Sequence, residues 1–593
     1  MFKTFCLIFL FVNLQIISQD ELIQNISGRK TVSLNGDWHI IIDPFENGYY
    51  NYRYEPNPNG YFKNQKPKDK SDLVEYDFDL SPTVKVPGDW NSQRTDLFFY
   101  EGTIWYKNSF NYVLPENKKL FLHFGGVNYE AKVYFNGHYL GTHIGGFTPF
   151  NFEITDLVKV KNNIVVLKVD NTRKREGVPT KNTDWWNYGG LTRDVSLVET
   201  PKLFVQDYSI QLNPKNIQQI QFGLNLSEQI SEELINISIP EIKLDTLVGT
   251  NSLGKVAFSF QCELELWSPE NPKLYDVLIE YNDEIIKDRI GFRTISTSGY
   301  DILLNGKPIF LRGISIHEEA PITGGRATNP KHAQILLNWA KELGCNFVRL
   351  AHYPHNEHML KLADELGLMV WSEIPVYWTI LWDNDETYKN AANQLTEMIT
   401  RDKNRASVII WSVANETPRS ESRLKFLRNL IDSARTLDPT RLISAATELT
   451  YSGNNNILLD DPLSEYLDVI GANEYLGWYG GKVEDIPNHN WKISFEKPLV
   501  ISEFGAGALQ GYHADKETRW SEEYQEELYI KQLEMFEKVH FLKGMSPWIL
   551  MDFRSPRRVL PNIQDYWNRK GLISNNGDKK KAFYILQNYY LGK

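Results

Sequence analysis

The chain has 593 residues, which at ~150 residues per domain corresponds to about four domains, or to three if one is an α/β barrel. Hydrophobic residues make up 42% and charged residues 23% of the sequence, and this balance excludes a disordered or collagen-like chain. The formal net charge is −11, so the basic surplus of a nucleic-acid-binding protein is absent and no nucleic acid partner is expected.

The segment 1–19 has the pattern of a signal peptide. Lys3 gives a positive start, residues 5–17 are almost entirely apolar, and the acidic Asp20 follows. This run is too short and too polar to span a membrane, and no later run reaches the ~18 apolar residues that a span requires. The sequence therefore predicts an exported protein, periplasmic or secreted, with no membrane contact after cleavage.

Residues 20–200 are predicted to form an all-β domain. Short alternating stretches are separated by turn signals such as Asn136-Gly137, and no helical period interrupts them. This pattern is typical of a sandwich or jelly roll. Residues 201–295 continue it in shorter form and fit an immunoglobulin-like β-sandwich. Cys262 and Cys345 fall in different predicted domains, so we expect two free, buried thiols.

From about residue 300 apolar strand segments alternate with helical ones. The predicted strands are Phe310–His317, Phe347–Ala351, Met369–Ile374, Val408–Val413, Leu442–Ala446, Val469–Ala472, Leu499–Ser502 and Gly544–Leu550. Helices are predicted between them, for example Pro330–Leu343, and the last is Lys580–Tyr590. Eight such alternations within 296–593 predict a C-terminal (β/α)8 TIM barrel.

Acidic residues stand at the ends of several predicted barrel strands, where TIM barrels hold their catalytic groups. Glu416 ends strand four, Glu503 ends strand seven and Glu373 ends strand three. One such Glu alone fits a structural salt bridge equally well. Glu416 and Glu503 face each other across the mouth, however, and two facing carboxyl groups are the minimal apparatus for glycoside hydrolysis. Glu373 is the weaker candidate, with an orienting role.

Further motifs run along the whole mature chain. In the first domain they are Leu34-Asn35-Gly36-Asp37-Trp38, Val86-Pro87-Gly88-Asp89-Trp90 and Gly102-Thr103-Ile104-Trp105-Tyr106. In the barrel they are Leu304-Asn305-Gly306-Lys307-Pro308, Arg312-Gly313-Ile314, His317-Glu318, Asn346-Phe347-Val348-Arg349 and His352-Tyr353-Pro354. Together with the two strand-end glutamates, these motifs resemble glycoside hydrolase family 2, which contains β-galactosidases, β-glucuronidases and β-mannosidases.

The resemblance implies that Glu416 is the general acid/base and Glu503 the nucleophile of a retaining mechanism. Asn415, beside the acid, can hydrogen-bond a sugar hydroxyl. Burial and the nearby charge of Glu503 are expected to raise the pKa of Glu416, which must hold a proton. The other substrate contacts that the resemblance implies are Asp184 from the first domain, Asn473 and Tyr475 after strand six, and Trp548 beneath the sugar.

The segment after strand eight indicates which sugar the substrate carries. It contains Asn568-Arg569-Lys570, and on an extended chain residues two apart point the same way, so an amide and an ammonium can converge on one anion. The pattern resembles the β-glucuronidase signature that grips the substrate carboxylate. A basic surface loop is the alternative interpretation. Gln564 stands where well-known glucuronidases have Arg, and the nearby Arg554, Arg557 and Arg558 are candidate replacements.

Histidine spacing does not predict a metal site. His317-Glu318-Glu319 lacks the second histidine of a zinc protease motif, and the spacing of His352, His355 and His358 fits a barrel loop entering a helix. We expect substrate or structural roles for His317 and His352. No metal and no cofactor are predicted, although galactosidases of the resembled family use cations.

The sequence thus predicts an exo-acting β-glucuronidase that releases terminal β-D-glucuronic acid from a uronic-acid-containing oligosaccharide or polysaccharide. A β-galactosidase or β-galacturonidase on the same scaffold is the alternative. A non-catalytic carbohydrate-binding protein is disfavoured, because a binding module has no need for Glu416 and Glu503 at these strand ends. The oligomeric state stays open, with a homo-oligomer as one option.

Overall fold

Two facing antiparallel sheets form the N-terminal domain and enclose an apolar core. The structure is a computed structural model that describes residues 21–62, 67–453 and 455–593, so the signal peptide predicted at 1–19 lies outside the described residues. Across the six-stranded sheet the strands are Thr83–Val86, Gly36–Ile42, Thr103–Phe110, Asn163–Asp170, Glu130–Phe135 and His138–Ile144. Across the four-stranded sheet they are Thr31–Ser33, Val195–Pro201, Lys118–Phe124 and Phe150–Glu153.

Smaller elements complete this domain. A two-stranded sheet pairs Val127–Asn128 with Gly190–Leu191. The short helices are Ile26–Gly28, Phe78–Leu80, Trp90–Gln93 and Thr95–Leu97. On the strand Gly36–Ile42 the buried Trp38 and Ile40 alternate with more exposed residues, because successive side chains of a strand point to opposite faces.

The second domain is a smaller sandwich of three and four strands. Its sheets contain, in spatial order, Val205–Asn213, Asn216–Leu226 and Lys255–Gln261, and then Leu244–Gly249, Leu234–Ile239, Tyr275–Tyr281 and Glu284–Ile290. A short 3-10 helix, Pro240–Ile242, connects two of them. Both thiols are free as predicted, but only Cys345 is buried. Cys262 is only partly buried because it follows the end of strand Lys255–Gln261 and packs against the edge of the sandwich core.

The C-terminal domain is a closed barrel of eight parallel strands. From first to eighth they are Leu311–Ile316, Phe347–Leu350, Met369–Glu373, Val408–Asn415, Leu442–Thr447, Val469–Asn473, Leu499–Glu503 and Leu542–Met545. The predicted architecture of jelly-roll sandwich, immunoglobulin-like sandwich and TIM barrel is confirmed. The eighth strand was predicted too late, at Gly544–Leu550. It ends before Pro547, which has no N–H to donate to a strand ladder.

Helices follow the barrel strands. The α-helices are Pro330–Glu342, Glu357–Leu366, Asp385–Asp402, Glu421–Leu437, Glu522–Phe536 and Lys581–Leu591, and the 3-10 helices are Pro462–Glu465 and Val483–Asn488. Local sequence explains their ends: the Asn329 side chain caps the helix that starts at Pro330, and Gly367 takes a left-handed φ of 67° after Leu366. Among the described residues, no helix is both long and apolar enough to cross a membrane.

Three small sheets lie beside the barrel. They comprise Ile295–Ser298 with Asp301–Leu304 and Lys307–Ile309, Thr450–Ser452 with Asn456–Leu459 and Asn490–Ile493, and Phe553–Arg554 with Trp567–Asn568. The last of these contains the segment after strand eight that the sequence singled out. It positions Asn568 and the following Lys570 at the carboxyl end of the barrel.

Buried polar contacts attach the N-terminal domain to the loops after barrel strands one and two. Arg193 donates to the Pro354 carbonyl at 2.6 Å and to the Glu318 carboxylate at 3.2 Å. Tyr188 donates to Glu319 at 2.6 Å, and burial raises the pKa of that carboxyl to about 7. These contacts bring the loop around Asp184 to the mouth of the barrel.

Candidate active site

The two candidate catalytic carboxyl groups lie at the carboxyl end of the barrel. Glu503 is the last residue of strand seven and is 5% exposed, whereas Glu416 directly follows strand four and is partly exposed. Glu416 has a φ of 49°, in the left-handed region that non-glycine residues rarely adopt. Such strained conformations cluster at functional sites, where surrounding contacts hold them.

Both carboxylate oxygens of Glu503 accept hydrogen bonds. Arg349 Nη1 donates to Oε1 at 2.8 Å, and the Tyr475 hydroxyl donates to Oε2 at 2.7 Å. His352 Nε2 lies 3.6 Å from Oε1. These contacts fix the orientation of the carboxylate, as an attacking group requires.

The environment of Glu416 favours its protonated form. Burial raises the pKa of the Glu416 carboxyl, and the charge of Glu503 raises it further. Hydrogen bonds from the side chains of Trp378 and Asn473 act in the opposite direction but do not cancel the rise. The indole of Trp378 donates to Glu416 Oε2 at 2.7 Å. Both causes that the sequence predicted for a raised pKa are therefore present.

Arg349 connects most of these groups and is fully buried at the end of strand two. Besides Glu503, it donates to Glu373 at 2.9 Å and to the Asn415 amide oxygen at 2.7 Å. Burial alone would raise the pKa of Glu373, but the Arg349 charge and the His352 contact outweigh it and hold that pKa at about 2. Glu373 stays charged and hydrogen-bonds Arg349, a geometry compatible with the orienting role, which stays a prediction.

Asn415 and Asn473 lie between the two acids. The Asn415 amide oxygen also accepts from Asn473 Nδ2 at 3.2 Å, and Asn473 Oδ1 accepts from Ser502 at 2.7 Å. Within the described part of the chain, the buried Asn415 Nδ2 has no hydrogen-bond partner. A buried donor without a partner is costly, so this amide is available for a hydroxyl of a bound sugar.

Lys570 is a buried ammonium that hydrogen-bonds a phenol and lies among aromatic rings. It is 3% exposed and donates to the Tyr479 hydroxyl at 2.8 Å. Its Nζ lies 5.3 Å, 5.7 Å and 4.8 Å from the ring centres of Tyr475, Trp478 and Tyr479. Across residues 21–62, 67–453 and 455–593, no carboxylate forms an ion pair with it. Burying an unpaired charge of this kind costs free energy, and pairing with an anion offsets that cost.

Asn568 contacts an acid of the first domain, and its predicted contact with a substrate carboxylate stays a prediction. Its amide donates to the Asp184 carboxylate at 3.1 Å, and its oxygen accepts the Lys570 backbone N–H at 3.2 Å. The strand ends at Asn568, so Asn568 and Lys570 do not belong to one straight extended segment. Asp184 also accepts from Ser555 at 2.6 Å and from Arg558 Nε at 3.0 Å. The first domain thus places an acid beside Asn568, and its contact with substrate stays a prediction.

Two of the three arginines that precede Asn568 in sequence, Arg554 and Arg558, have different surroundings. Arg558 pairs with Asp184 and lies 3.5 Å from the Tyr479 hydroxyl, whereas Arg554 lies 4.0 Å over the Trp567 ring. Burial would raise the pKa of Tyr479, but the charges of Lys570 and Arg558 outweigh burial and lower it. Arg558 is therefore the arginine of this group that reaches the surroundings of Lys570.

An aromatic cluster lies under the site. Trp548 is 3% exposed and stacks on His352 with ring centres 4.7 Å apart. His317 contacts the Tyr353 hydroxyl through Nδ1 at 3.1 Å, and burial lowers its pKa far below the usual range. His317 is consequently a neutral ring, and its Nε2 has no partner among the described residues.

The predicted site residues thus lie together at the carboxyl end of the barrel, with further residues that sequence reasoning missed. Arg349 appeared in a motif, and its position at a strand end was the available signal for a functional role. Tyr479 ends the stretch Asn473–Tyr479, whose resemblance to a substrate loop was its signal, whereas Trp378 lies in a loop and carried none. The described ranges contain no group of three or more His, Cys, Asp and Glu side chains that could hold a metal ion.

The barrel and the two carboxyl groups at its mouth are those of a glycoside hydrolase. Family models match almost the whole described chain. "Glycosyl hydrolases family 2, TIM barrel domain" matches residues 295–591, "Glycosyl hydrolases family 2, sugar binding domain" matches 32–201, and "Glycosyl hydrolases family 2" matches 204–293. The chain belongs to glycosyl hydrolases family 2, which confirms the resemblance found in its motifs.

Individual relatives extend over most of the chain. A Formosa agariphila protein is 30% identical over 86% of this chain, which spans 66% of that protein's length. A β-glucuronidase of Paenibacillus borealis is 29% identical over 85% of this chain and 90% of its own length. The solved β-D-glucuronidase of Dictyoglomus thermophilum has 26% identity and a TM-score of 0.78, covering 95% of this chain and 97% of its own.

Proposed function

We propose that this glycoside hydrolase is an exported, exo-acting, retaining β-glucuronidase that removes terminal β-D-glucuronic acid from oligosaccharides or polysaccharides. The observation that carries the substrate assignment is the buried Lys570 ammonium. It lies among three aromatic rings, one of them the Tyr479 phenol to which it donates, and within the described ranges it forms no ion pair with a carboxylate. The C6 carboxylate of a uronic acid would compensate this charge. The similarity to β-glucuronidases supports the same assignment.

In the first chemical step Glu503 attacks and Glu416 protonates. A carboxylate oxygen of Glu503 forms a bond to the anomeric carbon while the bond from that carbon to the leaving oxygen breaks. The proton of Glu416 passes to the leaving oxygen, so the departing sugar leaves as a neutral alcohol. The raised pKa of Glu416 supports this role because it keeps the proton on the carboxyl until it is needed.

In the second step water releases the sugar. Glu416, now ionised, takes one proton from water while the water oxygen bonds to the anomeric carbon and the bond to Glu503 breaks. Glu503 returns as a carboxylate and Glu416 returns protonated. Asn415 Nδ2 donates to a sugar hydroxyl, and the hydrogen bonds from Arg349 and Tyr475 stabilise Glu503 when its charge returns.

Exo action is supported by the position of Lys570. A buried ammonium that takes the carboxylate of one sugar suits a terminal residue, with Asp184, Asn568 and Arg558 grouped beside it. Export is supported by the amino-acid pattern of residues 1–19 alone. Export is tested separately from activity by expressing the full chain and a chain that starts at residue 20. Fractionation should find the full chain, but not the shortened one, in the periplasm.

The substrate assignment is tested by Lys570→Ala. A hydrogen bond to a charged group is worth about 1.5–3 kcal/mol and tenfold corresponds to ~1.4 kcal/mol, so kcat/KM on 4-nitrophenyl β-D-glucuronide should fall roughly ten- to a hundredfold. The weak hydrolysis of the galactoside should stay the same or improve slightly, since it leaves Lys570 unpaired. Equal losses on both substrates would refute the uronic acid assignment.

A matched control lies in the same segment. Lys579 lies 5.0 Å over the Phe583 ring but pairs with Glu342 at the surface. Lys579→Ala should leave both rates unchanged. A wild-type preference for the β-galacturonide over the β-glucuronide would replace the proposed sugar by its C4 epimer while retaining the role of Lys570.

A further inference from the structure

The position of Glu416 determines where the leaving sugar must lie. If Glu416 protonates the glycosidic oxygen, as the proposed function holds, the sugar on the far side of that oxygen lies next to Glu416 and its neighbours. The nearest of these is Trp378, whose indole N–H donates to Glu416 Oε2 at 2.7 Å. Trp378 is only partly buried, so its ring is accessible to the leaving sugar while its indole N–H is hydrogen-bonded to the acid.

Arg557 extends this surface away from the acid. Its guanidinium carbon lies 4.9 Å from the centre of the Trp378 ring, a cation–π contact. Its Nη1 donates to the Asn182 side-chain oxygen, which belongs to the same N-terminal-domain loop as Asp184. Two independent contacts from different domains therefore hold an exposed arginine beside the leaving-group side of Glu416.

The charge of Arg557 is not neutralised by the protein. In the ranges that the structure describes, no carboxylate pairs with it, although the neighbouring Arg558 is paired with Asp184. One amide oxygen occupies one of its five N–H donors. A planar guanidinium held in place with free donors matches a carboxylate or a sulfate, which accept two parallel hydrogen bonds.

We propose that Arg557, held by Trp378 and Asn182, is the binding group of a leaving-group subsite that recognises an anionic substituent on the penultimate sugar. The substituent is a carboxylate or a sulfate, which share this chemistry. This inference rests on the proposed function, because it uses Glu416 as the acid. It implies that the natural substrate carries negative charge on both sides of the bond that is cleaved.

The test compares β-glucuronosyl disaccharides of one linkage whose reducing sugar is neutral, sulfated or a uronic acid. The measured quantity is the ratio of kcat/KM on each anionic disaccharide to kcat/KM on the neutral one, for the wild type and for Arg557→Gln. The wild type should prefer at least one anionic disaccharide, and the variant should lose about tenfold or more of that ratio, which is the scale of one charged hydrogen bond. The anionic disaccharide whose kcat/KM ratio falls in the variant identifies the anion that Arg557 binds.

Arg428→Gln is the matched control. Arg428 is also exposed and lies 4.4 Å over a ring, that of Tyr466, but on helix Glu421–Leu437 outside the barrel. The ratio should be unchanged in this variant. An Arg557→Gln variant with the wild-type ratio overturns the inference, as does a wild type without preference for an anionic disaccharide. Failure of the wild type to hydrolyse 4-nitrophenyl β-D-glucuronide would instead overturn the proposed function.

Discussion

Glu416 and Glu503 are the same residue type in two different environments. Glu503 accepts hydrogen bonds on both oxygens, one of them from the charged Arg349. Glu416 accepts only from neutral side chains among the described residues, those of Trp378 and Asn473, and it faces the charge of Glu503. The first environment favours a carboxylate and the second favours a protonated acid, so the pair divides into nucleophile and acid by its surroundings.

Glu503→Gln keeps the size of the side chain and removes the attacking charge. Turnover should fall by several orders of magnitude, because no other carboxylate takes the same position, while circular dichroism should show an intact fold. A 2-fluoro glycoside should label the peptide that contains Glu503 in the wild type, as detected by mass spectrometry. Label on another peptide, or a fully active variant, would exclude Glu503 as the nucleophile.

Glu416→Ala should separate substrates by their leaving groups. A poor leaving group needs protonation, whereas an activated aryl glycoside does not, so kcat should fall much more for the former. Added azide should restore turnover in the variant and form a β-glycosyl azide, because the small anion fits the space of the lost carboxyl. A loss of equal size for both leaving groups would argue against the acid role.

At the scale of elements, the site depends on contacts between strand ends. Arg349 on strand two joins Glu373 on strand three and Glu503 on strand seven. Arg349 and Glu373 are both buried, at 0% and 1% side-chain exposure. Removing one partner of a buried pair leaves an uncompensated charge, so this pair supports stability as well as positioning.

Glu373→Gln should therefore lower stability by about 3 kcal/mol at neutral pH, because Arg349 keeps only Glu503 as a charged partner. The pKa of Glu373 is lowered from 4.5 to about 2 in the folded protein, so its contribution is fully present above 4.5 and is lost as the pH falls toward 2. Thermal melts should show a difference between wild type and variant that shrinks below pH 4.5. A difference that grows there would contradict the assignment.

Element boundaries show what the sequence could predict. Glu416 and Glu503 were predictable because each stands at the end of a short, mostly apolar run that the alternation of strand and helix segments assigns to a barrel strand. The eighth strand was displaced because the apolar run continues past Pro547 into Trp548, and hydrophobicity alone does not mark where pairing ends. The pairing of Asn568 with Asp184 depended on a loop conformation that spacing does not encode.

At the scale of the whole molecule, the site is shared between domains. Asp184 and Asn182 come from the N-terminal sandwich and meet Arg558 and Arg557 beyond barrel strand eight. The family's motifs indicated that an acid of the first domain reaches the site. The arginine partners of Asp184 and Asn182 are about 370 residues away in sequence and needed the folded chain. Composition and periodicity predicted the three domains, and docking between them assembled the site.

The central claim is that this glycoside hydrolase selects a carboxylate at C6. The most direct measurement is kcat/KM of the wild type on 4-nitrophenyl β-D-glucuronide and on 4-nitrophenyl β-D-glucoside, which differ only in that carboxylate. One charged contact to a buried ammonium predicts a preference of roughly ten- to a hundredfold or more for the glucuronide. Equal values, or a preference for the glucoside, would contradict the assignment of Lys570 and the function built on it.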